Sequence, residues 1–318
     1  MKALVSGGNG FLGSHVVAAL RESGDSVRVL DAVSRDGSAG VEQITTDLLT
    51  SERLESAFEG IDVLVHLAAS LRGRPEEILG NTVDGTRRLL DAMARSATRR
   101  IVLASSLSVY DWSRLETSVS EDAPTLDRSS MQALDAYAQA KTLQEQLTRQ
   151  FAREHGFTLT VLRPAVLWGR GVWAAFLLGQ RFAGVQTVVA PSAPIRLVYV
   201  ENAADAFVRA ARRSDGGELV VNLIDDPQLT TWEYAGIVQR SAGGVRVPLP
   251  YAVGLFGARL ASRLLGRART LPHFLQPARF EALHKPVSVS SRRARETLGW
   301  TPRFSFVEAL ARAESPHG

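Results

Sequence analysis

The sequence predicts an α/β protein: a Rossmann-type, doubly wound parallel sheet, followed by a smaller and mostly helical C-terminal region. Two observations carry this prediction. Through the first half of the chain, short runs that are apolar on both faces alternate with amphipathic stretches of helical length, which is the pattern of consecutive βαβ units. A glycine-rich turn also follows the first apolar run directly.

The individual elements follow from that alternation. Five apolar runs are predicted to be buried parallel strands: 2–6, 26–31, 62–68, 100–106 and 158–164. The stretches 11–24, 51–60, 81–97 and about 131–155 are predicted to be the helices that connect them through right-handed crossovers. After residue 164 the alternation weakens. Runs at 194–200 and 217–223 could return to the sheet, and we expect helices at 230–240, 250–267, 271–284 and from 291.

Composition excludes several classes of protein. The 318 residues are 45% apolar and 22% charged, as is ordinary for a globular protein. Without cysteine there is no disulfide, no thiolate metal site and no cysteine nucleophile. The net charge of +4 comes from arginines scattered among acids, so we expect no nucleic-acid partner. We see no signal-peptide pattern and no apolar run near the roughly 20 residues that span a bilayer, and we expect a cytoplasmic location.

The glycine-rich turn is "SGGNGFLG", residues 6–13, between the first strand and the first helix. A pyrophosphate needs close backbone approach and the unsatisfied amides of a helix N-terminus, which residues without a Cβ allow. The position after a strand in a βαβ unit therefore indicates a dinucleotide site, with a purely structural turn as the alternative. The candidate residues are Gly7, Asn9, Gly10, Phe11, Leu12 and Gly13.

An acid ends the second predicted strand. A carboxylate at Asp31 can accept hydrogen bonds from both hydroxyls of an adenosine ribose and would repel a 2′-phosphate. This favours NAD, while Arg28 and Arg35 keep NADP open as the less favoured cofactor. Asp47, next to Leu48, is a candidate for the adenine edge, and the alternative is a helix N-cap.

A second polar cluster is expected beyond the carboxyl end of strand 100–106. Ser105, Ser106 and Ser108 emerge there, and Tyr137 and Lys141 form an i,i+4 pair on one face of the following helix. A neighbouring ammonium favours the phenolate and would move the pKa of the phenol towards neutrality. The pattern thus predicts an acid/base tyrosine with its lysine, against the alternative of a surface lysine beside a packing tyrosine. His66 has no partner at metal-ligand spacing, so we expect no metal site.

These motifs and their order resemble the extended short-chain dehydrogenase/reductase family, the group of NAD-dependent epimerases, dehydratases and reductases. The resemblance runs almost end to end, through 6–13, "HLAA" (66–69), "NTVDGT" (81–86), "SSLSVY" (105–110), "YAQAK" (137–141), "LRPAVLWG" (162–169) and "ETLGWTPRFSFVEAL" (296–310). It implies residues 1–165 with 195–223 as the NAD-binding domain and 166–194 with 224–318 as a substrate-binding cap. It also implies a homodimer.

The resemblance assigns roles to particular residues. Ser106 would bind the substrate oxygen, with Ser105 as second choice, Tyr137 would act as acid/base, and Lys141 would hold the ribose. Leu67, Ala68 and Ala69 would line the adenine and ribose side, and Pro164 would lie at the nicotinamide. Candidate substrate residues are Ser70, Ser108, Trp168 and Arg196.

Two departures distinguish the branches of the family. The sugar-nucleotide epimerases carry an asparagine just after the sixth strand, and "LRPAVLWG" (162–169) has none. The sugar-nucleotide epimerases carry an arginine four residues before the histidine of a late strand, whereas this chain has Ile195 and Tyr199 at these positions and Arg196 one residue displaced. The chain is more similar to the branch of 3β-hydroxysteroid dehydrogenases and dihydroflavonol-4-reductases. We therefore expect an NAD-dependent oxidoreductase acting on a secondary alcohol or ketone. The alternatives are a nucleotide-sugar epimerase or dehydratase that uses NAD transiently, and a catalytically silent NAD sensor.

The predicted helix 250–267 is amphipathic. It could touch a membrane surface or be an ordinary cap helix, and we expect a small-molecule substrate and no membrane partner. Its apolar residues and cations are Leu255, Phe256 and Leu260 and Arg259, Arg263 and Arg267.

Overall fold

The computed structural model describes residues 1–35, 40–240, 243–265, 272 and 275–315. The strands are, in chain order, β1 (Lys2–Ser6), β2 (Ser26–Asp31), β3 (Glu42–Thr45), β4 (Val63–His66), β5 (Arg100–Ala104), β6 (Ser118–Val119), β7 (Thr158–Pro164), β8 (Val166–Trp168), β9 (Arg181–Phe182), β10 (Val185–Val189), β11 (Leu197–Tyr199), β12 (Glu218–Leu223), β13 (Val245–Leu249) and β14 (Ser288–Val289). The helices are α1 (Phe11–Glu22), α2 (Pro75–Leu79), α3 (Gly85–Ala94), α4 (Arg128–Met131), α5 (Ala136–His155), α6 (Val200–Arg212), α7 (Thr231–Val238), α8 (Tyr251–Leu264), α9 (Pro277–His284), α10 (Arg292–Leu298) and α11 (Phe306–Glu314).

Seven parallel strands form the central sheet in the order β12-β7-β5-β4-β1-β2-β3. From β1 the chain first builds outward through β2 and β3, and then returns to build the other half from β4 onward. The switch point therefore lies between β1 and β4, where doubly wound sheets open a crevice at the carboxyl ends of their strands. The predicted fold class is confirmed.

The core lies on both faces of this sheet. Because side chains alternate along a strand, Val5 of β1 packs in one cluster with Phe207 of α6, whereas Leu4 packs in another with Leu89 of α3 and Phe151 of α5. The helix pairs α1/α6 and α3/α5 thus cover opposite faces, which leaves the carboxyl edge of the sheet for the functional site.

In the first half of the chain one local prediction was wrong and one strand was not predicted. Residues 51–60 form only a short 3₁₀ turn, Ser56–Phe58, instead of a helix. The reason is a long-range contact, since Nη1 of Arg28 donates hydrogen bonds to the carbonyl oxygens of Ala57 (2.7 Å) and Glu59 (3.1 Å). Strand β3 was missed because "EQIT" is a short, half-exposed edge strand without an apolar run.

The C-terminal region departs from the prediction at one strand. Residues 217–223 do return to the sheet as β12 beside β7, but β11, in the run 194–200, pairs with β8 outside it. A three-stranded sheet of β13, β10 and β9 accompanies helices α7 to α11. The last two residues of the expected helix 250–267 lie outside the described part of the chain. So do residues 271, 273 and 274 of the expected helix 271–284.

Helix α5 positions the residues of greatest interest. Asp135 caps its first turn by accepting a hydrogen bond from the amide of Ala138 (2.8 Å), and Gly156 ends it in the left-handed conformation with φ +67°. One face of this 20-residue helix is buried although several of its residues are polar, including Lys141 and Glu145. These polar groups meet the carboxyl ends of β4, β5 and β7.

Candidate active site

The glycine turn brings the chain into close contact with itself. Gly7 has φ +73°, and a Cβ on it would lie 2.8 Å from the amide nitrogen of Ala68. A Cβ on Gly13 would overlap the carbonyl oxygen of Gly7. Gly10 caps α1 and donates a hydrogen bond to that same carbonyl (3.2 Å). The turn thus presents the N-terminus of α1 without intervening side chains, a cradle that fits a pyrophosphate.

Asp31 is held by the turn itself. Its Oδ2 accepts a hydrogen bond from the amide of Asn9 (2.9 Å), and its Oδ1 accepts one from the amide of Val33 (3.0 Å). The side chain of Asn9 donates to the carbonyl oxygen of Val33 (2.7 Å) and so braces this arrangement. Each carboxylate oxygen keeps a lone pair for a ribose hydroxyl, and the donor set therefore fits an adenosine ribose.

Arg28 is unsuited to a 2′-phosphate. Its guanidinium is buried, bonds the carbonyls of the 3₁₀ turn, and forms an ion pair with Glu42 (Nε to Oε1, 2.8 Å). Arg35 is exposed just after β2. Arg28 is therefore already engaged within the protein, which agrees with NAD as the cofactor.

The remaining candidates at the adenine side lie close to the turn. Residues 67–69 follow β4 and are half-buried, and Ala68 makes the close approach to Gly7. Asp47 is exposed and accepts a hydrogen bond from the amide of Leu49 (2.8 Å), which makes it a turn-forming residue rather than a cap of the predicted helix. Leu48 lies against Gly85 at the start of α3. A Cβ added to Gly85 would lie 3.3 Å from the Cβ of Leu48.

At the opposite side of the site, Pro164 ends β7 and is buried. It lies opposite Leu223 in the register of β12. Phe11 and Leu12 begin α1 and contribute to the hydrophobic cluster that contains Trp168. These three residues therefore lie at the boundary between the sheet and the C-terminal region.

The two adjacent serines have different environments. Ser105 is buried and donates a hydrogen bond to Oε2 of Glu145 (2.5 Å), and Glu145 also holds the buried guanidinium of Arg163. Ser106 is half-buried and accepts a hydrogen bond from the amide of Ser108 (3.1 Å), and its side chain interacts with that of Tyr137. The geometry therefore separates a structural serine from a serine that accompanies the tyrosine.

Lys141 lies beneath this pair and is 3% exposed. Its Nζ donates hydrogen bonds to the carbonyl oxygen of Ala104 (2.5 Å) and to Oε1 of Gln144 (2.7 Å). Burial lowers the pKa of Lys141 to about 7, although the carboxylate of Glu145 acts in the opposite direction. The amine therefore changes charge close to neutral pH.

The expected shift of the tyrosine pKa was wrong in direction. Burial raises the pKa of Tyr137 above its ordinary value; the hydrogen bond with Ser106 opposes this rise and the charge of Asp135 adds to it. Lys141 directs its ammonium to backbone and amide oxygens instead. At neutral pH Tyr137 is consequently a protonated phenol, ready to donate rather than to accept a proton.

Gln144 was missed by the sequence analysis. It follows Lys141 by three residues, and its amide nitrogen donates to Oγ1 of Thr86 (2.9 Å) and to the carbonyl oxygen of Ala68 (3.1 Å). It therefore connects the lysine with the loop that approaches Gly7. Polar residues at positions 141, 144, 145 and 148, all on the helix face of Tyr137, were the available signal.

His66 belongs to the same buried network. Its Nδ1 is paired with Oγ of Ser6 (2.6 Å) and its Nε2 with Oγ1 of Thr86 (2.8 Å). Burial, together with the positive charge of Lys141, lowers the pKa of His66 to about 3. The ring is therefore neutral at physiological pH and fully used in hydrogen bonds.

The four candidate substrate residues occupy different surroundings. Ser70 is tied to its own loop, with its amide bonded to Thr82 and its hydroxyl donating to the carbonyl of Arg72 (3.0 Å for both). The hydroxyl of Ser108 is buried and has no hydrogen-bond partner among the described residues. It follows Ser106 by two residues in the chain, and its capacity to form a hydrogen bond is unused.

Trp168 and Arg196 are both buried instead of exposed in a cleft. Trp168 is fully buried and stacks on Phe306 with ring centroids 4.8 Å apart. Arg196 lies over the ring of Trp112 at 4.0 Å and donates to the carbonyl oxygen of Ala282 (2.8 Å). Both side chains therefore contribute to packing.

Comparison with known proteins agrees with this geometry. A model of the NAD dependent epimerase/dehydratase family matches residues 3–223. The chain belongs to this family. As a member of the NAD-dependent epimerase/dehydratase family, it is an NAD-dependent enzyme of the extended short-chain dehydrogenase/reductase type, and the resemblance inferred from its motifs is confirmed.

Relatives within the family have different activities. A 3-beta-hydroxysteroid dehydrogenase of Mycolicibacterium neoaurum is 28% identical, over 98% of this chain and 89% of that protein. A UDP-glucose 4-epimerase of Azospirillum brasilense is 25% identical, over 98% of this chain and 90% of that protein. Among solved structures, MoeE5 in complex with UDP-glucuronic acid and NAD has a TM-score of 0.72 at 22% identity, over 98% of this chain and 97% of MoeE5. The last similarity concerns the fold.

Proposed function

We propose that the chain is an NAD-dependent oxidoreductase that transfers a hydride between nicotinamide and a secondary alcohol or ketone, with Tyr137 as the acid/base. The observation that carries this proposal is the environment of residues 195 and 196. Sugar-nucleotide epimerases of the family carry an arginine at the position of Ile195, and here that residue is a buried isoleucine. A diphosphate would therefore lack its expected cation.

The neighbouring arginine does not replace that cation. Arg196 Nη2 donates to the carbonyls of Ala282 (2.8 Å) and Leu283 (2.6 Å) while the guanidinium stacks on Trp112. Nη1 has no hydrogen-bond partner in the described part of the chain, but the cavity beside it has a volume of about 10 Å³. That space accommodates about one water molecule and not a diphosphate.

The other nearby cation is engaged as well. Nζ of Lys285 donates to the carbonyl oxygens of Trp112 (2.9 Å) and Ser113 (3.2 Å). It thereby fastens the segment after α9 to the 3₁₀ turn Trp112–Arg114. Both cations at this place therefore hold the protein together, which favours a substrate without a diphosphate.

The proton donor is well suited to ketone reduction. Tyr137 is protonated at neutral pH because burial raises its pKa, and the side chain of Ser106 interacts with it. Ser106 and the unpartnered hydroxyl of Ser108 would hold the substrate oxygen while Tyr137 transfers its proton to that oxygen. In the opposite direction the phenolate of Tyr137, the form left after it has given up its proton, would take the proton from the alcohol.

The chain offers a matching set of groups to the cofactor. The glycine turn would hold the pyrophosphate, Asp31 the adenosine ribose, and Lys141 the nicotinamide ribose. NAD, when bound, supplies or accepts the hydride. We further propose that residues 1–165 and 195–223 bind the cofactor, that 166–194 and 224–318 close over the substrate, and that the enzyme is a homodimer.

The proposal is tested by measuring net cofactor turnover. The wild-type protein is incubated with NADH and a panel of cyclic ketones, and separately with UDP-glucose, while nicotinamide absorbance and product formation are recorded. We expect one NADH to be oxidised per ketone reduced. The Tyr137→Phe variant is the control for reduction unrelated to this site.

A different result would select the alternative enzyme. An epimerase regenerates its cofactor in each turnover, so it would convert the sugar nucleotide without a net absorbance change. Conversion of UDP-glucose under these conditions, with no ketone reduced, would refute the oxidoreductase.

A further inference from the structure

The C-terminal region carries an unusual apolar surface. Helix α8 buries Leu255 and Ala258 against β10 and α9, and its other side is exposed. Four apolar residues with spacings of three and four run along that side, so they form one line on the helix surface. This line, the α8 stripe, consists of Val253, Phe256, Leu260 and Leu264.

The stripe is bordered by cations. Arg259 and Arg263 lie beside it on the same helix and are exposed, and α8 contains no acidic residue. Arg259 reaches Glu281 of α9 (2.9 Å) and is still 58% exposed. A helix with an exposed apolar line, bordering arginines and no acid has the composition of one that lies in a membrane interface.

A second exposed apolar area lies on the three-stranded sheet that precedes α8. Val185 of β10 is the direct partner of Val245 on β13 and of Phe182 on β9, so these side chains share one sheet face. Val247 follows on the same face of β13, and Phe182 is 83% exposed. This sheet patch adds apolar surface in the same region of the chain.

The exposed apolar residues are concentrated in this region. Of the large apolar side chains that are exposed in the described part of the chain, three lie elsewhere: Val33, Leu71 and Val307. The others lie between residues 172 and 265. Isolated exposed apolar residues are normal, whereas adjacent ones, as in the α8 stripe and the sheet patch, mark an interaction surface.

The charges are segregated in the same way. Residues 155–200 contain no aspartate or glutamate, and neither do residues 234–280. The stretches 165–200 and 234–280 together contain ten arginines: Arg170, Arg181, Arg196, Arg240, Arg246, Arg259, Arg263, Arg267, Arg269 and Arg279. Of 37 cationic and 33 acidic residues, this leaves 27 cations and 33 acids for the rest of the chain, a net charge of −6.

We propose that the α8 stripe and the sheet patch bind the surface of an anionic lipid bilayer. The apolar side chains would enter the boundary between headgroups and acyl chains, and the exposed Arg259 and Arg263 of α8 would contact lipid phosphates. No helix in the described ranges combines the length and hydropathy needed to cross a bilayer. The proposed contact is peripheral. It takes up the membrane-surface alternative for helix 250–267 and departs from the expectation of no membrane partner.

Charge also argues against a second copy of the chain as the occupant. Pairing two such surfaces would bring Arg259 and Arg263 of both copies together, while Glu281, the acid beside Arg259, is already engaged in an ion pair with it. An anionic bilayer supplies the missing negative charge over an extended area and accepts the apolar stripe at the same time. The inference is independent of the reaction catalysed, and its test does not use turnover.

The test is flotation of the full-length protein with vesicles. Vesicles of phosphatidylcholine alone are compared with vesicles that also contain phosphatidylglycerol, at low and high salt. We expect at least about tenfold tighter binding to the anionic vesicles, weakened by salt, because each arginine near such a surface adds roughly fivefold in affinity. Equal and weak association with both kinds of vesicle would overturn the proposal.

Substitutions identify the surface. Phe256→Asp with Leu264→Asp should reduce binding at least about tenfold, and Arg263→Gln should reduce it several-fold on anionic vesicles only. Val307→Asp is the matched control, since Val307 is 74% exposed on α11 outside the two surfaces, and it should bind normally. Unchanged melting temperature and NAD affinity show that the variants fold. Binding that survives the double substitution would overturn the proposal.

The same variants also test whether a second copy of the chain, instead of a bilayer, covers this surface. If the wild-type protein sediments as a dimer, fails to bind vesicles, and becomes monomeric in the double variant, the surface joins two copies of the chain. That outcome would refute lipid binding.

Discussion

Ser105 donates a hydrogen bond of 2.5 Å to the buried carboxylate of Glu145. That carboxylate also holds the guanidinium of Arg163, and the pair is almost completely buried. Burial alone would raise the pKa of Glu145, but its bonds to Arg163 and Ser105 lower it overall, so the carboxylate remains charged. Ser105 thus belongs to the scaffold, which leaves Ser106 to face Tyr137.

The two serines should therefore respond differently to replacement by alanine. Ser106→Ala should reduce turnover by about 10²-fold, since it removes a donor to the substrate oxygen, and should lower the free energy of unfolding by at most about 1 kcal/mol, for the lost hydrogen bond from the amide of Ser108. Ser105→Ala should lower the free energy of unfolding by about 1–3 kcal/mol, because it leaves a buried carboxylate short of a partner, with a smaller effect on turnover. Initial rates and chemical denaturation of both variants check this. If Ser105→Ala lost turnover and Ser106→Ala lost stability instead, Ser105 would be the catalytic serine and Ser106 the structural one.

The pKa of Lys141 predicts how NAD affinity depends on pH. The amine has a pKa of about 7, so it is charged below that pH and becomes neutral above it. If its ammonium holds the nicotinamide ribose, NAD affinity should fall as pH rises past 7. Lys141→Met should bind NAD more weakly and lose this dependence, whereas Tyr137→Phe should retain it. Calorimetric titration between pH 6 and 9 measures this, and an equal slope in Lys141→Met would contradict it.

The environment of Asp31 predicts cofactor preference. Asp31→Ala removes the acceptors for the ribose hydroxyls and the charge that opposes a 2′-phosphate, so NAD should bind about 10- to 100-fold more weakly and NADP relatively better. Asp31→Asn removes the negative charge but keeps one side-chain oxygen to accept a hydrogen bond from the turn amides. It therefore shows the effect of the lost charge with less disturbance of the turn. Asp47→Ala, a nearby exposed carboxylate, should not change the preference. Dissociation constants for both cofactors decide the matter, and an unaltered ratio in both Asp31 variants would refute the assignment.

The central strands and α5 could be predicted because their signals are local. Apolar runs mark buried parallel strands, and the spacing of Tyr137 and Lys141 places them on one helix face. The structure of residues 51–60 could not be predicted, because two carbonyl oxygens of this segment accept hydrogen bonds from Arg28 on β2. A long-range hydrogen bond of this kind leaves no trace in a local pattern.

The site shows the same limit. The serine, tyrosine and lysine were predicted from motif and resemblance, but the contacts of Gln144 depend on the strand end and loop that it meets in space. The pKa of Tyr137 was misjudged because burial and the partners of Lys141 depend on the folded environment. For α8, the sequence shows an amphipathic helix, and only the structure shows which apolar residues face outward.

The central claim is that Tyr137 donates the proton to the substrate oxygen. Tyr137→Phe should keep its affinity for NAD nearly unchanged, because the ring remains and only the hydroxyl is lost. The most direct test is turnover of that variant with an active ketone substrate, measured beside its dissociation constant for NAD. We predict a decrease in turnover of about 10²–10⁴-fold with NAD affinity preserved, whereas turnover close to that of the wild type would contradict the account.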